Sequence, residues 1–121
     1  EEMKDKVNFV GFADETKKQE LLNTHDIFCI PSRLSEGSPV SIIEAMAYGL
    51  PIIGTEKGCI KEMIGECGYV VNGVLDEKEM NKALESITQD YEVYSQKALE
   101  NYRSLYSKDV FIKRLEEIIN A

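Results

Sequence analysis

The 121-residue chain reads as an α/β layer sandwich with a mainly parallel sheet, and three observations predict it. Short apolar runs of strand length alternate with longer segments of helical period. The run Ile27–Pro31 is apolar without alternation, as expected of a parallel strand covered on both faces. Turn and cap residues (Asp14, Ser38, Gly49, Pro51, Asp76) fall between the runs, where such a fold needs them.

In chain order, Glu1–Lys6 is charged and expected to fray, and Val7–Phe12 reads as a first strand closed by Ala13-Asp14-Glu15. A helix follows from about Thr16 to Thr24, with Leu21 and Leu22 as its core contacts. His25, the sole histidine, reads as a helix-end or loop residue, because no acid or nucleophile motif surrounds it. After the strand Ile27–Pro31, whose Cys29 is expected in the core, comes a Gly-containing loop. Ser38 then suits an N-cap and Pro39 the first helical position, where its missing N–H costs nothing. That helix runs to about Tyr48, with Gly49 as its left-handed stop and Pro51 beyond.

Ile52 and Ile53 form a short strand, Thr55–Gly58 a turn, Ile60–Ile64 a small helix and Gly68–Val71 another strand. Asp76 and Glu79 have the spacing of a capping box, opening a helix buried along Met80, Ala83, Leu84 and Ile87. Two helical patterns complete the chain: Tyr91, Tyr94, Ala98 and Tyr102, read as packing residues, then Phe111, Leu115, Ile118 and Ile119 after Ser107-Lys108-Asp109. No repeat, low-complexity run or linker appears, so one domain is expected.

Composition narrows the function classes. Apolar residues at 43% and charged residues at 30% describe an ordinary globular protein of modest core. No apolar run approaches the ~20 residues of a membrane span, and no signal peptide is apparent. A formal charge of −8 argues against nucleic acid as a partner, since phosphate-backbone binding needs clustered Lys and Arg. The three cysteines, Cys29, Cys59 and Cys67, lack C-x-x-C spacing, which fits a reducing cytoplasm and offers no metal or Cys–His constellation.

The two glutamates of the central segment stand in different settings. Glu36 lies in the loop after a strand, whereas Glu44 lies inside the helix. At ~100° per residue, apolar side chains cover most of that helix and leave Ser41, Glu44 and Tyr48 as one narrow polar stripe. A helix apolar nearly all round is expected to be buried, so Glu44 needs a partner or a watery cleft. The stripe is either a solvent-facing edge or one wall of a ligand cleft. In the second case the free N–H groups of Val40 and Ser41, with Gly37 and Ser38 before them, would meet an anion. Glu44 would then accept hydrogen bonds from the paired hydroxyls of a sugar.

Glu36-Gly37-Ser38-Pro39, Glu44-Ala45-Met46-Ala47, Gly49 and Pro51-Ile52-Ile53, preceded by Pro31-Ser32, resemble the E-x7-E signature of retaining GT-B glycosyltransferases of the group 1, or family 4, class. The resemblance implies that residues 1–121 are part of a Rossmann-like three-layer C-terminal domain, the nucleotide-sugar-binding one. By that comparison two strand–helix units and the acceptor-binding domain lie outside the chain, as do the family's Arg and Lys for the diphosphate. In a Rossmann-like order the absent strands would lie between Val7–Phe12 and Ile27–Pro31, so the chain is expected to leave sheet edges exposed, to rearrange its pairing, or to bury the edges by self-association with another copy.

The implied activity is transfer of a sugar from a nucleotide-sugar donor, with retention, to a glycan or lipid-linked acceptor bound through the other domain. Glu36 matches the glutamate that contacts the donor sugar near the reacting centre, and is the catalytic candidate. Gly37, Ser38, Pro39, Val40 and Ser41 match the loop and helix start that meet sugar and diphosphate. Glu44 matches the ribose-binding glutamate, and Phe12 and Ala13 match the strand end beside the nucleobase. The sequence has no D-x-D, and the family replaces a metal by helix-terminal N–H groups and basic side chains, so no metal or other cofactor is expected. The implied location is cytoplasmic, peripheral at the inner membrane face.

Two positions depart from the family pattern: Ser38 stands where an aromatic is most common, and Cys59 where a second glycine usually follows Gly58. With this charge the isolated chain is expected to bind nucleotide weakly and to be inactive. Two other readings compete. One is a non-catalytic folding or assembly module with a vestigial site. The other is a receiver-like signalling domain, which would need an acidic cluster at strand ends that here carry Phe12 and Pro31-Ser32.

Overall fold

The computed structural model describes residues 5–121, so the first four residues of the charged start lie outside the described part. Its elements are α1 (Glu15–Thr24), β1 (Phe28–Ile30), α2 (Val40–Ala47), β2 (Ile52–Thr55), α3 (Ile60–Ile64), β3 (Gly68–Val71), α4 (Glu77–Gln89), α5 (Tyr91–Asn101) and α6 (Lys108–Ile119). A π-helical turn, Tyr102–Tyr106, joins the last two helices. The strands form one parallel sheet in the order β1-β2-β3, with Phe28 opposite Ile52 and Ile52 opposite Gly68. This is the α/β arrangement with a parallel sheet, consistent with a Rossmann-like GT-B C-terminal domain.

The central strand is β2, and all four of its residues are buried. Its two faces lead to two core clusters. On one side Ile52 packs with Ile42 and Met46 of α2, Ile60, Met63 and Ile64 of α3, and Ala98 of α5. On the other, Ile53 packs with Ala83 and Ile87 of α4, flanked by Tyr69, Tyr91 and Tyr94. Helices therefore cover both faces of the sheet, the solution open to a parallel β segment that is apolar throughout. Tyr91, Tyr94 and Tyr102 pack against these clusters, as their helical spacing predicts. On α4, Leu84 is 39% exposed, so the buried face of that helix is narrower than the sequence pattern.

Several expectations are corrected at the chain's beginning. Val7–Phe12 forms no strand: Gly11 sits at φ 71, and Phe9 and Phe12 are 93% and 96% exposed. An extended segment is stable as a strand only with a neighbour to share its backbone hydrogen bonds, and among the described residues none lies beside it. For the same reason β1 is an edge strand, so Cys29 is exposed rather than in the core. Helix α1 buries no residue outright, and Leu21 and Leu22 are only half-buried.

Helix starts differ in detail too. Asp14 and Asp76 cap α1 and α4 by accepting from the Lys17 and Glu79 N–H groups, each at 2.8 Å. The capping box at Asp76 is only half made, because the Glu79 carboxylate turns to Lys82 at 3.1 Å. At α2, Pro39 keeps an extended backbone (φ −66, ψ 114) and is itself the N-cap, so Ser38 caps nothing and its hydroxyl lies 3.9 Å from the Met63 sulfur. The end of α2 agrees with its sequence: Gly49 at φ 70 lets its own N–H reach Met46 and the Leu50 N–H reach Ala45, the paired bonds of a Schellman stop. Similarly β2 extends to Thr55, which the sequence pattern assigns to a turn. Finally, α6 forms behind Ser107, but Phe111, Leu115, Ile118 and Ile119 on it are 45–73% exposed.

Candidate functional site

β1 delivers the chain to the carboxyl edge of the sheet, the loop 31–39 crosses that edge, and α2 leads away from it. Glu36 is therefore held where ligands of open α/β sheets collect. Ser32 Oγ donates to Glu36 Oε2. The Glu36 carbonyl accepts from the Cys59 N–H at 3.0 Å.

The turn behind this loop is built to touch it. Gly58 sits at φ 59, and a Cβ there would fall 2.0 Å from the Glu36 carbonyl oxygen. Only glycine allows this approach. Cys59, where the resemblance leads one to expect a second glycine, has φ −86 and ψ 1, a conformation open to any residue. That departure from the expected pattern thus leaves the turn intact and supplies the N–H that holds Glu36.

The start of α2 carries no side-chain cap. The N–H groups of Val40 and Ser41 have no acceptor within the helix, by the geometry of any first turn. Gly37, Ser38 and Val40 are exposed, Pro39 and Ser41 half-buried. Beside the loop, Pro31, Ser32, Arg33, Thr55, Gly73, Val74 and Leu75 line a cavity of about 260 Å³ at the strand ends.

Glu44 lies about a turn further along α2, in a different setting. Its carboxylate is 29% exposed and pairs with Lys18 at 2.7 Å, while Lys18 also meets Glu15 at 2.9 Å. The hydrogen bond to Glu44, then that to Glu15, holds the Lys18 ammonium above the ordinary lysine range. A hollow of about 250 Å³ opens beside the pair, lined by residues of α1 and α2 together with Tyr102 and Tyr106 of the π-helical turn. Tyr48, from the polar stripe, also lines it. The stripe is therefore neither simple solvent edge nor free cleft wall. Its central carboxylate has a cation, and it has a hollow.

The two glutamates do not share that hollow: neither Glu36 nor the start of α2 lines it. Phe12 projects into solvent and Ala13 is half-buried, directly before the Asp14 cap of α1. Lys18, Tyr102 and Tyr106 line the hollow beside Glu44 and Thr55 the cavity at the strand ends, roles that sequence reasoning did not assign because each residue reaches its place from another element. His25 ends α1, with Nδ1 2.9 Å from the Leu21 carbonyl oxygen. No described helix is long and apolar enough to cross a membrane.

Comparison with known proteins places the chain among relatives. Residues 1–104 match the model of the family described as glycosyl transferases group 1. An uncharacterized glycosyltransferase of Haemophilus influenzae is 31% identical over 121 residues, an alignment covering 96% of this chain and 32% of that protein. The amylovoran biosynthesis glycosyltransferase AmsK of Erwinia amylovora is 38% identical over 68 residues, 52% of this chain and 17% of that protein. The MMP alpha-(1->4)-mannosyltransferase of Mycolicibacterium hassiacum is 39% identical over 64 residues, 50% of this chain and 15% of that protein. The chain thus spans a third or less of the length of these curated relatives.

Proposed function

The chain belongs to the glycosyl transferases of group 1, and from that premise we propose that it is the donor-binding portion of a retaining glycosyltransferase. The enzyme joins a sugar from a nucleotide-sugar to a hydroxyl of a glycan or lipid-linked acceptor. The bond from the anomeric carbon to the diphosphate breaks, the acceptor oxygen takes its place with retention, and the nucleoside diphosphate leaves. The enzyme works in the cytoplasm at the inner face of the membrane, without a metal or other cofactor.

The observation that carries the reading is the position of Glu36 at the carboxyl edge of a parallel sheet, directly before the uncapped start of α2. There a carboxylate can accept from sugar hydroxyls while the N–H groups of Val40 and Ser41, with Gly37, Ser38 and Pro39 shaping the approach, face the diphosphate. Glu44 takes the ribose hydroxyls, and the backbone at Phe12 and Ala13 lies beside the base. The acceptor binds through a separate domain, and the open sheet edges associate with a second copy when the chain stands alone.

Binding by these 121 residues is weak. The net charge is −8, and helix-terminal groups are worth only about 0.3–1 kcal/mol each toward an anion when exposed. Titration with UDP-, GDP- and ADP-sugars, followed by NMR, tests this. Weak shifts confined to residues 12–13 and 36–44 are expected, without turnover, and submicromolar affinity or transfer by this chain would refute the expectation of weakness.

The ion pair between Glu44 and Lys18 favours a second reading, a non-catalytic folding or assembly module whose site is vestigial. Glu44→Ala separates the two. A binding role predicts lost nucleotide affinity at nearly unchanged melting temperature, whereas a structural role predicts a lower melting temperature and no ligand effect.

A further inference from the structure

Thr55 is the buried polar side chain of the described core, 1% exposed at the end of β2. A hydroxyl so placed is costly unless it is hydrogen-bonded, and this one donates to the Ser32 carbonyl oxygen at 2.6 Å, across 23 residues of sequence. Ser32 in turn donates from Oγ to Glu36 Oε2. We propose that Thr55 and Ser32 are positioning residues for Glu36, forming a relay that ties a loop carboxylate to the buried central strand.

The physical logic has two steps. The loop 31–39 has no regular structure of its own, so a glutamate on it would sample several rotamers. Thr55 fixes the Ser32 backbone, and a serine with a fixed backbone has one short lever with which to hold Oε2. The hold is asymmetric. With Oε2 occupied by a donor, Oε1 is left as an acceptor of fixed direction, which suits a hydroxyl of a sugar and disfavours an anionic group. The nature of that ligand rests on the donor-site reading above, while the anchoring of Glu36 does not.

Three variants of the full 121-residue chain test the relay. Thr55→Val keeps the shape and removes the hydroxyl, Thr55→Ser keeps the hydroxyl and removes a methyl, and Ser32→Ala removes the final link. Three-bond couplings across the Glu36 side chain, measured by NMR, should report one rotamer in the wild type and in Thr55→Ser. They should average in Thr55→Val and Ser32→Ala. Melting temperature should follow a different order, with Thr55→Ser losing core packing, so that positioning and stability come apart. UDP-glucose and UDP are titrated in parallel, and the preference for the former should fall ~3- to 10-fold in Thr55→Val and Ser32→Ala, the size of one hydrogen bond. Averaged couplings in the wild type, or a single rotamer retained in both of those variants, overturn the relay. Couplings that respond as expected in a chain that binds neither compound uphold the relay and sink the donor-site reading instead.

Discussion

At Glu44 the carboxylate already has a partner, the Lys18 ammonium at 2.7 Å, and a ribose would have to displace it. Because the hydrogen bonds to Glu44 and Glu15 hold Lys18 above the ordinary lysine range, the cation keeps its charge through neutral pH, and a mild rise in pH does not free Glu44 from it. Replacing it does. Lys18→Met keeps an apolar stem at this position of α1, frees Oε2 of Glu44, and should tighten nucleotide binding in an NMR titration while barely moving the melting temperature, since exposed pairs contribute little. Cys67 offers a second measurement at this scale. Burial pushes its thiol up to about 11, although the Asn101 amide, 2.9 Å away, pulls it in the other direction. Below pH 9.0, the ordinary thiol value, both folded and unfolded chains keep the proton, and the full contribution to stability is present. From there to about 11 the unfolded thiol ionises first, so stability falls as pH rises through the folded value. Chemical denaturation at pH 8, 9 and 10 should show that fall, and Cys67→Ala should flatten it.

Among the elements, the turn between β2 and α3 does as much for the candidate site as α2 does. Gly58 at φ 59 packs its Cα against the Glu36 backbone, and the obstacle a Cβ would meet at 2.0 Å is a carbonyl oxygen rather than a flexible side chain. Gly58→Ala must therefore move the loop or the turn, and strained backbone of this kind costs of order 1–3 kcal/mol. The expected result is a lower melting temperature together with loss of the Cys59 N–H protection in hydrogen exchange, because that amide bonds to Glu36. An unchanged exchange rate would show that the loop does not depend on the turn. The start of α2 was legible only to within one residue: Pro39 fits both an N-cap and a first helical position, and its extended ψ of 114 decides for the cap. The stop at Gly49 was fully legible, because left-handed backbone, a glycine and a following proline coincide.

For the whole molecule, the sheet is the unit that leaves something unsatisfied. β1 and β3 are both edges of a three-stranded sheet, Cys29 is exposed on the first, and Phe9 and Phe12 stand in solvent at 93% and 96%. Unpaired edges and loose apolar segments recruit other chains. Sedimentation of the isolated chain should therefore show mass rising with concentration, and the double variant Phe9→Asp, Phe12→Asp should remain monomeric. A wild type that is monomeric at every concentration would remove self-association from the reading.

Periodicity, caps and glycines act over a few residues, and what depends on them could be read from the sequence alone: the alternation of strands and helices, the ends of most helices, and the tyrosines that pack. What depends on a neighbour could not. Val7–Phe12 has a strand's composition, yet a strand exists only with a partner to bond, and Cys29 has a core residue's surroundings in sequence but an edge in space. The Lys18 clasp on Glu44 and the Thr55–Ser32–Glu36 chain join residues 26, 23 and 4 positions apart. The first two of these contacts arise only when separate elements are packed against one another, and the third only when the loop is folded onto that packing, so only the tertiary structure could decide them.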